Sequence, residues 1–147
     1  MSDPIVVALH VNTGSRKPLA SVPRVNAVPG GLEGDRHLKL GGNRTVLLVE
    51  QEVLDQHGLE PGALREQVTV RGMDLMALAA GSRVSIGGAT LEAGGGCAPC
   101  GRMDELKSGL RNELVGRRGR FFSVVVAGAF AVGDPITPGP QGMTPKT

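Results

Sequence analysis

The chain has 147 residues, 40% of them apolar and 20% charged, with a formal net charge of +2. That length suits one domain that buries about 70% of its unfolded surface, enough for a core without metals or disulfides as staples. Nucleic acid is an unpromising partner, because the charge is small and three Phe with no Trp or Tyr leave little for bases to stack on. No apolar run approaches the ~18 residues of a membrane span. Met1-Ser2-Asp3-Pro4 lacks a signal-peptide layout, and two cysteines three residues apart do not make a secreted disulfide framework. The expectation is a cytoplasmic protein with no membrane and no nucleic-acid partner.

Strand signals dominate the chain. Residues 5–11 alternate, with Ile5, Val7, Leu9 and Val11 on one face. Val25 to Val28 is a weaker apolar piece, stopped by Pro29-Gly30-Gly31. Residues 45–49 form a continuous run suited to a strand buried on both faces. Glu50 to His57 predicts two helical turns closed by Gly58 as a left-handed C-terminal residue. Further strands are expected at 68–70, 84–86, 91–93, 122–126 and 130–132.

Gly87-Gly88 predicts a tight hairpin in which Ile86 faces Ala89 and Val84 faces Leu91. Ala127-Gly128-Ala129 predicts a second hairpin joining the Phe122 and Phe130 strands. Met103, Leu106, Leu110 and Leu114 recur at helical spacing and predict an amphipathic helix over 104–115. Short strands, glycine turns and few helices indicate a mostly β fold, a closed or nearly closed barrel. The domain is expected over 1–137, with 138–147, which lacks an apolar pattern, a disordered tail.

Chemistry concentrates in Gly94-Gly95-Gly96-Cys97-Ala98-Pro99-Cys100-Gly101-Arg102. A thiolate just before a helix, two residues from Arg102, is stabilised by the helix N-terminus and by the guanidinium. Such a cysteine can be a nucleophile, a sulfur carrier or a soft-metal ligand. The plainer reading is two small buried thiols. Structural zinc lacks a second cysteine pair, and His10, His37 and His57 are scattered. Thioredoxin-like exchange is a rival, since Cys-x-Pro-Cys before a helix is its pattern.

A second feature is Gly31-Leu32-Glu33-Gly34-Asp35-Arg36-His37, where an arginine among glycines can grip a phosphate or carboxylate. Its plainer reading is a solvated turn with Asp35 and Arg36 weakly paired. Arg65 stands just before the strand that includes Val68 and Val70. The run Arg117-Arg118-Gly119-Arg120 reads as a solvated basic face.

Taken in order, these segments resemble the MOSC family, named for the C-terminal domain of molybdenum cofactor sulfurases. The resemblance rests on the Gly31–His37 segment, Val46-Leu47-Leu48-Val49-Glu50-Gln51 and Arg65-Glu66-Gln67-Val68-Thr69-Val70-Arg71-Gly72-Met73-Asp74-Leu75. It continues through Pro99-Cys100, Leu114-Val115-Gly116-Arg117-Arg118-Gly119 and Val132-Gly133-Asp134-Pro135-Ile136. It implies a MOSC-type barrel whose essential cysteine is Cys100, ligating molybdenum of the molybdenum cofactor (molybdopterin). It also implies that Arg36 and Arg65 contact phosphate or pterin. Gln67 stands where relatives usually carry Asn, and Arg102 joins the expected cofactor contacts.

Three functions follow as expectations. In the first, Cys100-bound molybdenum reduces N-hydroxylated compounds with electrons from a separate electron-transfer protein. In the second, Cys100 carries persulfide sulfur from a pyridoxal-phosphate-dependent cysteine desulfurase to a metal-sulfur centre, since the chain shows no pyridoxal-phosphate domain of its own. In the third, Cys97 and Cys100 exchange thiol for disulfide.

Overall fold

The computed structural model describes residues 4–12, 19–35, 46–96, 109 and 119–139. In chain order its elements are β1 (Ile5–Val11), β2 (Ala20–Val22), β3 (Arg24–Val28), β4 (Gly31–Leu32), β5 (Val46–Glu50), α1 (Gln51–Gln56) and β6 (Val68–Arg71). A 3-10 turn (Leu75–Ala77) follows, then β7 (Arg83–Ile86), β8 (Ala89–Gly96), β9 (Arg120–Val126), β10 (Gly128–Ala131) and β11 (Ile136–Pro138). The predicted helix over 104–115 lies outside the described residues. Among the described residues, no helix is long and apolar enough to cross a membrane.

Eight strands form one curled sheet in the order β11-β7-β8-β9-β5-β6-β1-β2, and β10, β3 and β4 form a second, smaller sheet. All neighbours in the large sheet are antiparallel except β5 and β6, which are parallel and joined by a crossover through α1. The large sheet curls so that the stretch before β11 reaches the start of β1. Pro135 bridges Ile5, the Val6 N–H donates to the Asp134 carbonyl at 3.0 Å, and the Gly133 N–H donates to the Val6 carbonyl at 2.8 Å. The result is the nearly closed, mostly β barrel that the strand and turn signals predict.

Strand β5 is buried on both faces, as its unbroken apolar run predicts. Val46 and Leu48 enter the main core, with Leu9, Val68, Leu91, Phe122 and Phe130. Leu47 and Val49 point the other way and pack with Val53, Leu54 and Leu64 under α1. A six-residue helix is not stable alone in water. Burial of Val53 and Leu54, about 2 kcal/mol each, holds it instead. Its C-terminus closes as predicted: Gly58 has φ 67°, the Gly58 N–H reaches the Asp55 carbonyl, and the Leu59 N–H reaches the Leu54 carbonyl.

The Gly87-Gly88 hairpin has the predicted register, Val84 opposite Leu91 and Ile86 opposite Ala89. Two local expectations fail. Strand β1 has a bulge between Val6 and Ala8, so Val6, Leu9 and Val11 face the core while Ile5 and Val7 stay half-buried. An extra residue in one strand shifts the alternation by one. The second hairpin is also absent: β10 pairs with β3, with Phe130 opposite Val25, and the chain changes sheets at Ala127. At the other boundary, pairing runs through Pro138, and the Gly139 N–H donates to the Arg83 carbonyl at 2.8 Å. Residues 140–147 lie outside the described residues.

The small sheet is pressed onto the hairpin tip, where the Gly88 N–H donates to the Ala129 carbonyl at 2.9 Å. A Cβ at Gly128 would fall 2.1 Å from the Gly88 carbonyl oxygen, a distance only backbone movement can relieve. Gly95, by contrast, has nothing within 4 Å of such an atom. Gly128→Ala is therefore expected to lower unfolding stability by about 3 kcal/mol, and Gly95→Ala by less than about 0.5 kcal/mol. Urea denaturation of the two variants checks this, and equal midpoints would rule out the tight contact.

Candidate functional site

Three chain segments far apart in sequence meet where β1 ends and β6 begins. Asp35 is buried, and its Oδ1 accepts the Asn12 backbone N–H at 2.6 Å. Its Oδ2 accepts the Gln67 side-chain amide at 3.3 Å. The other end of that amide, Gln67 Oε1, accepts the Leu47 N–H at 2.8 Å. The Gln67 backbone continues the ladder on both sides: its N–H donates to the Leu47 carbonyl and its carbonyl accepts the His10 N–H. One residue therefore ties β1, β5 and the Gly31–Asp35 turn together.

Asp35 departs from the solvated reading of that turn: it is 5% exposed and bonded inward. Glycine makes the geometry available: Gly30, Gly31 and Gly34 have φ of 104°, 140° and 89°, which L side chains rarely adopt. Arg36 is the next residue in sequence and lies outside the described residues, as do Cys97, Cys100 and Arg102.

Arg65 sits two residues before Gln67 and is the one non-glycine with positive φ among the described residues, at 63°. A left-handed backbone at such a residue costs of order 1 kcal/mol and persists only where neighbours impose it. Glu66 is the neighbour that does so. It is fully buried, with Oε2 accepting the Gly62 N–H and the Thr69 hydroxyl, each at 2.8 Å. Its Oε1 accepts the Leu64 N–H at 3.1 Å. The buried carboxylate thus organises residues 62–66 around itself and turns Arg65 outward to half-burial. Sequence reasoning placed no weight on Asn12, Asp35 or Glu66. The mixed pattern of Glu66 and Thr69 beside an apolar strand was the available signal.

Arg120 departs from the reading of its basic run as a solvated face, while Arg117 and Arg118 lie outside the described residues. Arg120 is 6% exposed, with Nε donating to the Gly94 carbonyl at 2.8 Å and Nη1 to the carbonyls of Leu75 and Leu78. It lies opposite Leu48 on β5 and Gly96 on β8, and Leu48 lies opposite Val68. Gly96, Arg120, Leu48 and Val68 therefore form one row across four adjacent strands. At about 4.8 Å per strand, that row spans about 14 Å of sheet. Cys97 follows Gly96 in sequence, and Gln67 precedes Val68. Among the described residues, no group of three or more His, Cys, Asp or Glu is placed to hold a metal ion.

A family model described as the MOSC domain matches residues 35–137, most of the chain. The chain belongs to the MOSC family. Solved structures repeat the same architecture. The YuaD protein of Bacillus subtilis superposes with a TM-score of 0.77 at 24% identity, covering 90% of this chain and 94% of that one. YiiM of Geobacillus stearothermophilus gives 0.75 at 18% identity, covering 95% and 77%. YiiM of Escherichia coli gives 0.71 at 18% identity, covering 96% and 71%. At these identities the likeness is one of fold. A search of curated proteins returns no match.

In this MOSC domain the strain at Arg65 and the carboxylate of Glu66 make separable predictions. Glu66→Ala strips acceptors from three buried donors and is expected to cost about 3 kcal/mol or more. Arg65→Gly removes the positive-φ penalty and the side chain together, so its stability should stay within about 1 kcal/mol of wild type. Thermal unfolding of both variants decides the matter. A large loss in Arg65→Gly with none in Glu66→Ala would contradict the assignment of Glu66 as the organiser.

Proposed function

We propose that this MOSC protein binds the molybdenum cofactor through Cys100 and supports reduction of N-hydroxylated compounds, with electrons from a separate protein. The supporting observation is the buried Gln67–Asp35 hydrogen bond, which draws together the segments that carry Arg65 and Arg36. Two arginines on converging, glycine-bent segments suit a ligand with phosphate and heterocyclic groups, because the guanidinium offers planar paired donors. The donor set fits the cofactor on that side. When bound, the cofactor supplies a redox-active metal that accepts a soft thiolate ligand.

The chain's own residues do the holding. Arg36 and Arg65 neutralise and orient the anionic part. Gln67 spends its amide on Leu47 and Asp35, so its contribution is to lock the two arginine-bearing segments in place. Cys100 presents the thiolate, and Arg102, two residues on, favours its charged form. Cys100 stands four positions after Gly96. Extended chain of that length reaches about 14 Å, comparable with the width of sheet between Gly96 and Val68.

The test is elemental analysis and intact mass of protein made in a cofactor-competent host. Stoichiometric molybdenum is expected in wild type. Loss in Cys100→Ser and retention of most of it in Cys97→Ser is the expected pattern, because Pro99 and Arg102 support only the second thiol. A reductant-removable gain of one sulfur without metal would replace the reductase reading with the sulfur carrier supplied by a cysteine desulfurase. Equal loss in both single variants would hand the chemistry to a Cys97–Cys100 redox pair. Arg65→Lys keeps charge but loses the planar fork, so cofactor retention should fall roughly tenfold or more.

A further inference from the structure

His10 is a buried polar side chain that the proposed function does not use. It lies on β1, where its backbone N–H donates to the Gln67 carbonyl at 2.8 Å. The residue is 8% exposed, and its Nδ1 is sealed from solvent with no hydrogen-bond partner. A buried polar atom left unbonded is costly, and an apolar ring of similar shape would avoid that cost. Hydrogen bonding at Nδ1 therefore does not hold the ring where it is. Packing does.

The ring packs against Gly62. A Cβ built on that glycine would stand 3.0 Å from His10 Nε2, 3.2 Å from Cε1 and 3.3 Å from Cδ2. One edge of the imidazole thus faces the Gly62 main chain, at a distance that a residue without a side chain allows. Gly62 has φ 92° and opens the turn that ends at Arg65, whose N–H donates to the Gly62 carbonyl at 2.9 Å. Glu66 ties this turn to β6 through the Gly62 N–H and the Thr69 hydroxyl. His10 ties the same turn to β1 by contact. Two residues on, just past the end of β1, the Asn12 N–H holds Asp35. Residues 10 and 12 therefore touch both the Arg65 turn and the turn that ends at Asp35.

We propose that His10 is a positioning residue for Arg65: its ring, set against Gly62, fixes the turn that presents the guanidinium to an anionic ligand. A left-handed backbone persists only where its surroundings impose it, so Arg65 relaxes into any space opened beside its turn. The ligand half of this inference rests on the reading of Arg65 as a phosphate or pterin contact. The local half, that the ring fixes the turn, stands without it.

The local half is tested on the cofactor-free full chain by amide hydrogen exchange at Arg65, read against Leu91 on β8. His10→Ala should lower Arg65 protection about tenfold or more relative to Leu91, because the bond to Gly62 then opens locally. His10→Phe keeps a ring without the unbonded nitrogen and should hold that ratio within about twofold of wild type. If His10→Ala does not fold, His10→Val keeps a buried strand residue without the ring and should show the same loss. For the ligand half, molybdenum per folded chain from a cofactor-competent host should fall about tenfold in His10→Ala and stay within about twofold in His10→Phe. Wild type free of molybdenum would remove the cofactor reading and leave the exchange ratio to decide. An unchanged ratio in His10→Ala, or a His10→Phe turn as loose as that of His10→Ala, would overturn the proposal. So would full molybdenum in a His10→Ala chain whose turn has loosened.

Discussion

The amide of Gln67 is the contact on which the site depends. It donates to a buried carboxylate and accepts from the backbone of β5, so Asp35 is held against the barrel only while Gln67 stays in register. A hydrogen bond to a charged group contributes about 1.5–3 kcal/mol, and an abandoned buried carboxylate costs more than that. The arrangement is therefore close to all-or-none. Either β5, β6 and the glycine turn are docked together, or Asp35 must leave the interior and the turn moves with it. Arg65 inherits its placement from this clamp and from Glu66, because it stands within two residues of both buried, hydrogen-bonded side chains.

Much of the barrel is legible in the sequence because its signals are local. Two glycines between alternating segments specify the β7–β8 hairpin, and a run of apolar residues marks β5 as buried on both faces. The failures are equally physical. The bulge in β1 depends on how it meets β6, and period-two alternation does not carry that information. The segment at Ala127 resembles a hairpin loop, but β9 already has partners on both edges, β8 and β5. The next strand must pair elsewhere, and it finds β3. Strand saturation of this kind is a property of the whole sheet.

The site was legible in part and for a similar reason. Glycine spacing singled out the Gly31–His37 turn, and the start of β6 singled out Arg65 and Gln67. Their convergence is a tertiary fact, carried by a side chain that bridges residues 35 and 67. Asp35, Glu66 and Arg120 were misjudged or passed over because charged side chains are usually exposed. Each is buried here, and the bonds that hold Glu66 and Arg120 come mainly from main-chain groups. Burial of that kind leaves no mark on charge patterning.

The fold also bears on the rival redox reading of the two cysteines. Thioredoxin-like exchange places its Cys-x-x-Cys after a strand of a parallel βαβ unit, at the start of the crossover helix. Among the described residues one strand pair is parallel, β5 with β6, and its crossover passes through α1 with neither cysteine in it. The cysteines instead follow β8, the second strand of an antiparallel hairpin whose other neighbour is also antiparallel. What β8 delivers is a glycine strand end beside the buried guanidinium of Arg120. The Cys-x-Pro-Cys pattern therefore stands here without the βαβ setting in which it reads as a redox motif.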